Sequence, residues 1–153
     1  MKKRLKTNIR IRTFEREDTQ SIVRLAEKYA SWDATLTTAD VQGFHTQNAD
    51  LFFVAAAEDE IVGFVYGTES KPPQETLAKW KANRVGAVEA LAVSQEWRRR
   101  GIATLLLNRL FQAFKQKEID TAILSCPADE VGALKLYEKF GFQTRGYFLR
   151  KKI

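Results

Sequence analysis

The 153-residue chain has one cysteine, Cys126, and one histidine, His45. A single cysteine excludes an internal disulfide and suits a cytoplasmic setting. No apolar run approaches the roughly 20 residues that a bilayer-spanning helix needs, so no membrane partner is expected. The basic start, "MKKRLKTNIRIR", is not followed by the uninterrupted apolar stretch of a secretory signal. No internal repeat or low-complexity block is present. Neither common phosphate signature occurs: there is no G-x-G-x-x-G and no glycine loop ending in G-K-[ST].

What is present is an ordinary globular balance of 44% hydrophobic and 29% charged residues. That predicts one folded domain, residues 1–153, able to bury a core without staples. The net charge of +6 favours anionic partners such as nucleic acid, phosphorylated cofactors or acidic surfaces. Lys2, Lys3, Arg4, Lys6, Arg98–Arg100 and Arg150–Lys152 would supply a basic nucleic-acid module. However, no nucleic-acid motif or row of stacking aromatics accompanies them, and specific binding of that kind is not expected.

Periodicity gives the element order. Residues 8–14 alternate as a half-buried strand. Ile22, Leu25, Ala26 and Tyr29 form a helical stripe, with Asp18 as its predicted N-cap. Residues 37–47 read as a weaker helix, with Gly43 against it. Residues 51–57 and 61–66 read as a hairpin of buried strands. Residues 68–84, with Pro72 and Pro73, read as a loop holding one helical turn near Leu77 to Lys81. A strand over 85–93 and a helix over 101–117 follow, the helix burying Ile102, Leu105, Leu106, Leu110, Ala113 and Phe114. Then come a strand over 119–126, a helix over 129–140 with Ala133, Leu136, Tyr137 and Phe140 inward, and a closing strand over 142–152. Gly141 sits where that last helix wants a left-handed residue. Strands alternating with helices in the second half predict parallel pairing there, within a sheet that the hairpin makes mixed.

Three features could carry chemistry. In "EWRRRGIA", residues 96–103, three arginines meet a predicted helix start. Unpaired N–H groups and the helix dipole already attract anions at such a start, so added cations call for a multiply charged anion such as a pyrophosphate. The bland alternative is that the arginines simply point into water. Glu89 is the one charge within a strand that reads as buried on both faces, a candidate general base. It could equally be a structural ion pair with Arg84 or a lysine of the 70s loop. Tyr137 lies on an apolar stripe, so its hydroxyl needs a partner; an ordinary core tyrosine would look the same.

Together these segments resemble the GNAT superfamily of acyl-CoA-dependent N-acetyltransferases. The signature [RQ]-x-x-G-x-[GA] stands as Arg98-Arg99-Arg100-Gly101-Ile102-Ala103, after the strand end Leu91-Ala92-Val93. The ending A-x-x-L-Y-x-x-x-G-F stands as Ala133, Leu136-Tyr137 and Gly141-Phe142. The resemblance implies an α/β (α+β) fold: a mixed, mostly antiparallel sheet whose central parallel strand pair splays to hold acyl-CoA, flanked by helices. It implies acetyl-CoA as cosubstrate, with no metal. Leu91, Ala92 and Val93 would bind the pantetheine arm through the backbone, and Arg98 to Ala103 would wrap the pyrophosphate. Glu89 would take the amine proton and Tyr137 would protonate the leaving thiolate. No covalent enzyme intermediate is required, so Cys126 reads as a small buried residue. The acceptor would be a primary amine of a small molecule, with a lysine or N-terminal peptide acceptor as the alternative and a catalytically silent acyl-CoA sensor as the non-enzymatic one. Trp32, Asp33, Phe44 and Trp80 are the candidate acceptor-binding residues, and a homodimer is allowed. One departure is Glu130, where many members carry asparagine; it reads instead as a helix cap.

Overall fold

The computed structural model describes residues 8–29 and 33–153. Its centre is a five-stranded sheet in the order β1-β2-β3-β4-β5. The strands are β1 (Ile9–Thr13), β2 (Phe52–Ala57), β3 (Glu60–Ser70), β4 (Val85–Val93) and β5 (Thr121–Leu124). Neighbours among β1 to β4 run antiparallel, and β4 and β5 run parallel at one edge. The helices are α1 (Thr19–Tyr29), α2 (Thr38–Asn48), α3 (Gln74–Trp80), α4 (Ile102–Gln116) and α5 (Val131–Lys139).

Each face of the sheet carries its own core. On one face Leu106, Leu107, Leu110 and Phe114 of α4 pack over Phe53, Val65, Val88 and Val93, with α5 alongside. On the other, Ile22, Leu25 and Ala26 of α1 and Val41 of α2 pack over Phe52, Val54, Phe64 and Tyr66. Covered on both faces, β2 is buried at every residue, which is why it is a continuous apolar run rather than an alternating one.

Local chemistry explains where sequence expectations shift. α2 forms despite Gly43 because Thr37 caps it: its hydroxyl accepts from the Asp40 N–H (3.1 Å) while the Asp40 carboxylate accepts from the Thr37 N–H (2.8 Å). Asp18 does not cap α1. It ends a 3-10 turn, is buried, and takes a bidentate ion pair from Arg12 at 2.7 and 2.9 Å. Burial pushes that carboxyl up, but Arg12 and the Glu15 N–H outweigh it and hold the group below its ordinary value. Strand β3 runs four residues beyond the expected hairpin, and α3 is a seven-residue helix rather than one turn. Leu105 is exposed, and Leu107 takes its place inside, because Leu105 lies far round α4 from the centre of the apolar stripe.

α5 ends as the sequence predicts. Gly141 has φ +94°, its N–H donates to the Glu138 carbonyl, and the Phe142 N–H donates to the Tyr137 carbonyl at 3.0 Å. The closing strand does not form. Among the described residues, 143–153 have no backbone pairing, and they are exposed throughout, including Tyr147, Phe148 and Leu149. Among the described residues no helix is long and apolar enough to cross a membrane.

Candidate active site

The site begins with a fault in the β3–β4 ladder. Tyr66 pairs with Ala90 and Gly67 with Val88, so Glu89 has no partner and stands as the extra residue of a bulge. The bulge resets the alternation of β4. Val88 joins the core beneath α4, while Ala90 and Ala92 join the opposite core beneath α1 and α2. Unbroken alternation would put Val88, Ala90 and Ala92 on one face. The reset also frees Glu89: it is exposed rather than buried, and its Oε1 accepts from the Thr68 hydroxyl at 2.7 Å. Arg84, the predicted alternative partner of Glu89, is instead paired with Glu69 at 2.8 Å.

Past the bulge, β4 and β5 part. β5 pairs with β4 only from Val85 to Val88 and stops at Leu124, while β4 continues to Val93. The parted strands open a cleft of about 700 Å³. Leu91, Ala92 and Val93 wall one side, with backbone that β5 leaves unpaired.

The start of α4 forms the floor. Gly101 is the N-cap with φ +76°, a left-handed conformation that L side chains adopt at a cost. No side chain caps this end, so the first N–H groups of a 15-residue helix face the cleft beside Ile102 and Ala103. A multiply charged anion fits that end.

The three arginines separate in role. Arg98 lines the cleft and braces the loop, donating to the Val93 carbonyl (3.3 Å) and the Tyr29 carbonyl (3.4 Å). Arg99, at φ +62°, lines the cleft as well. Arg100 is not among the lining residues and lies over the Trp97 ring, 4.6 Å from its centroid.

α5 closes the far wall. Tyr137 is buried there, and burial, with smaller contributions from Cys126 and Glu130, pushes its phenol up to about 12. The Schellman turn that ends α5 holds it, since Phe142 meets the Tyr137 ring edge-on at 5.9 Å. Cys126 is half-buried and lines the same cleft; burial and the carboxylates of Glu130 and Asp129 push its thiol up, away from nucleophilic use. Glu130 occupies the N-cap position of α5, but its side chain makes no capping hydrogen bond.

A second, smaller cavity of about 330 Å³ lies behind Glu89, between α2 and the β3–β4 pair. Phe44 lines it, stacked on Tyr66 at 4.1 Å, together with Leu36, Gln47 and Thr68. The Tyr66 hydroxyl accepts from Asn48 at 3.0 Å; burial raises its pKa. Glu89 and Ala90 border both spaces.

Of the predicted acceptor residues that are described, only Phe44 lines this cavity. Asp33 and Trp80 do not, and Trp32 falls outside the described residues. Sequence reasoning missed Tyr66, Thr68 and Gln47. Tyr66 and Thr68 carried a signal: they continue an apolar strand in which polar groups need a reason. Among the described residues, no cluster of three or more His, Cys, Asp or Glu side chains is placed to hold a metal.

Comparison with known proteins gives the family and the fold. A model described as the acetyltransferase (GNAT) family matches residues 11–142. Mycothiol acetyltransferase of Saccharomonospora viridis is 26% identical over 151 residues, covering 94% of this chain and 48% of that protein. This chain therefore spans about half the length of that relative. Ard1 from Thermoplasma volcanium superimposes with a TM-score of 0.76 at 22% identity, over 90% of this chain and 84% of that one. The NatC complex bound to Gag peptide and CoA also gives 0.76, at 19% identity, over 91% and 87%. At those identities the structural likeness speaks for the fold.

Proposed function

The chain belongs to the acetyltransferase (GNAT) family, and from that premise we propose that it moves the acetyl group of acetyl-CoA onto a primary amine of a small molecule by direct attack. The observation that carries this reading is the position of Glu89 on the border of both cavities. A carboxylate there can take a proton from an amine in the smaller cavity while the amine faces a thioester in the larger cleft.

The parts follow from the chemistry. The pyrophosphate of CoA would lie on the open start of α4, against Gly101 and Arg99, with Arg98 bracing the loop. The pantetheine amides would pair with the edge of Leu91 to Val93 that β5 leaves open, as an added strand pairs with a sheet edge. An amine with pKa near ~10.4 arrives as an ammonium and cannot attack until it loses a proton. Glu89, held by Thr68, receives that proton directly or through water. The nitrogen–carbon bond forms, the carbonyl oxygen takes up negative charge, and a backbone N–H of β4 steadies it. The carbon–sulfur bond then breaks, and the sulfur leaves toward Tyr137. At about 12 the phenol stays protonated across the neutral range. It is also a weaker acid than a thiol of about 8.5, so it steadies the thiolate by donating a hydrogen bond. Over the whole reaction one ammonium proton ends on sulfur and one goes to solvent.

The acceptor is small because its cavity is small and walled by Phe44, Leu36 and Tyr66. The test is a thiol-release screen with acetyl-CoA over polyamines, aminoglycosides, amino acids, and lysine or N-terminal peptides. Turnover on a small amine supports the proposal. Turnover on peptides alone replaces it with a peptide acceptor. Absence of any acetyl-CoA thermal shift, at concentrations well above micromolar, rejects acetyl transfer altogether.

A further inference from the structure

The smaller cavity behind Glu89 holds one negative charge and nothing to match a second charge of either sign. Leu36, Phe44 and the ring of Tyr66 give it apolar surface, and Gln47 and Thr68 give it neutral polar groups. Among the described residues, Glu89 is the one ionised side chain in its wall, and no lysine or arginine borders it. Asp33 and Glu69 are the carboxylates next in sequence to wall residues. Asp33 does not border the cavity, and Glu69 is held by Arg84 at 2.8 Å. Glu89 accepts from the Thr68 hydroxyl through Oε1 at 2.7 Å, and among the described residues its Oε2 takes no hydrogen bond.

On the reading that the chain transfers acetyl groups, we infer that its acceptor is a primary monoamine with a compact apolar body, best an aromatic ring on a short arm. Polyamines, aminoglycosides and free amino acids are rejected, each by an unmatched charge. One ammonium meets Glu89 through the open Oε2. A second ammonium in the cavity would lose water among apolar walls that offer no carboxylate in exchange. The carboxylate of an amino acid sits next to its amine, so it would be brought beside Glu89, and like charges that close repel. An uncharged body remains. At water's share of about 30 Å³ for each non-hydrogen atom, a cavity of about 330 Å³ holds about ten of them, a ring and a short arm. Phe44, stacked on Tyr66 at 4.1 Å, gives that ring an aromatic wall to pack on. The chemistry agrees with release. Glu89 takes one ammonium proton, the nitrogen–carbon bond forms and the carbon–sulfur bond breaks, with one proton ending on sulfur and one in solvent. The product is a neutral amide, which has lost the charge that held it to Glu89.

Steady-state thiol release with acetyl-CoA and two matched pairs of amines tests this. Phenylalanine is phenethylamine with a carboxylate added, and cadaverine is pentylamine with a second ammonium. The expected kcat/KM is about 100-fold higher for phenethylamine than for phenylalanine. It is about tenfold higher for pentylamine than for cadaverine. Ala34→Glu adds a second carboxylate to the wall at an exposed position on which the core does not depend. It should move the pentylamine-to-cadaverine ratio severalfold toward cadaverine and leave the acetyl-CoA KM unchanged. Phenylalanine or cadaverine matching or exceeding its partner overturns the inference, and so does an unchanged ratio in Ala34→Glu. If acetyl-CoA raises the melting temperature but none of the four amines turns over, the inference falls while acetyl transfer to another acceptor stands. If acetyl-CoA gives no thermal shift, acetyl transfer itself is rejected, and this acceptor with it.

Discussion

Around Gly101 the larger cleft is walled by backbone: the uncapped first turn of α4 and the strand edge of Leu91 to Val93 that β5 leaves unpaired. Around Phe44 the smaller cavity is walled by side chains from α2 and β3, which meet only because two helices fold over one face of the sheet. The backbone half has one glycine conformation to keep and tolerates change in its side chains. The side-chain half has no such fixed requirement, so its shape follows from which residues stand there. That difference suits a shared cosubstrate on one side and an individual acceptor on the other.

The comparison can be broken or sharpened by substitution. The largest effect is expected at the border: Glu89→Gln should lower kcat about 100-fold or more while leaving acetyl-CoA affinity unchanged, read by stopped thiol release and calorimetry. Gly101→Val forces a β-branched residue to φ +76°, a strain of about 2 kcal/mol, and should weaken acetyl-CoA binding roughly 30-fold. Equal loss of acceptor affinity in that variant would break the division between the two halves. Tyr137→Phe should cost about tenfold in kcat through loss of one hydrogen-bond donor. Its pH–rate profile between about pH 6 and 10 should keep the wild-type shape, because a phenol raised to about 12 does not titrate there. The sign is that of a raised pKa: the stability tied to the neutral phenol is complete below the unfolded value near ~10 and is lost as pH climbs through about 12. Last, Phe44→Ala should raise the acceptor KM severalfold with acetyl-CoA affinity unchanged, whereas Arg100→Ala should change neither by more than about twofold, since an exposed charge over a ring contributes little.

Much of the fold was legible. The stripes of α1 and α5, the apolar runs of β2 and β4, and Gly141 at the end of α5 follow from periodicity and from which residues tolerate left-handed backbone. The misreadings have separate causes. Asp18 looked like a cap because caps are local, but Arg12, brought alongside by β1, offered it a stronger partner. Leu105 and Leu107 were exchanged because a run of three leucines leaves the phase of a helix undefined until a sheet chooses a side. The final strand failed because pairing needs an edge within reach, and strand propensity says nothing of where the edge is.

The site divides the same way. The arginine-glycine run and the tyrosine motif stood in the sequence as an anion cradle and a buried hydroxyl, since a helix start and an apolar stripe are local properties. Glu89 stood out too, as a charge inside an apolar strand, but for the wrong reason: it was read as buried. Only the register of β3 against β4 turned it into a bulge residue between two cavities. Residue types and their spacing determined helices, strands and their ends, because those answer to neighbours a few positions away. The bulge, the parting of β4 from β5 and the smaller cavity were decided by tertiary structure, because each depends on how segments tens of residues apart align, and no single segment carries that alignment.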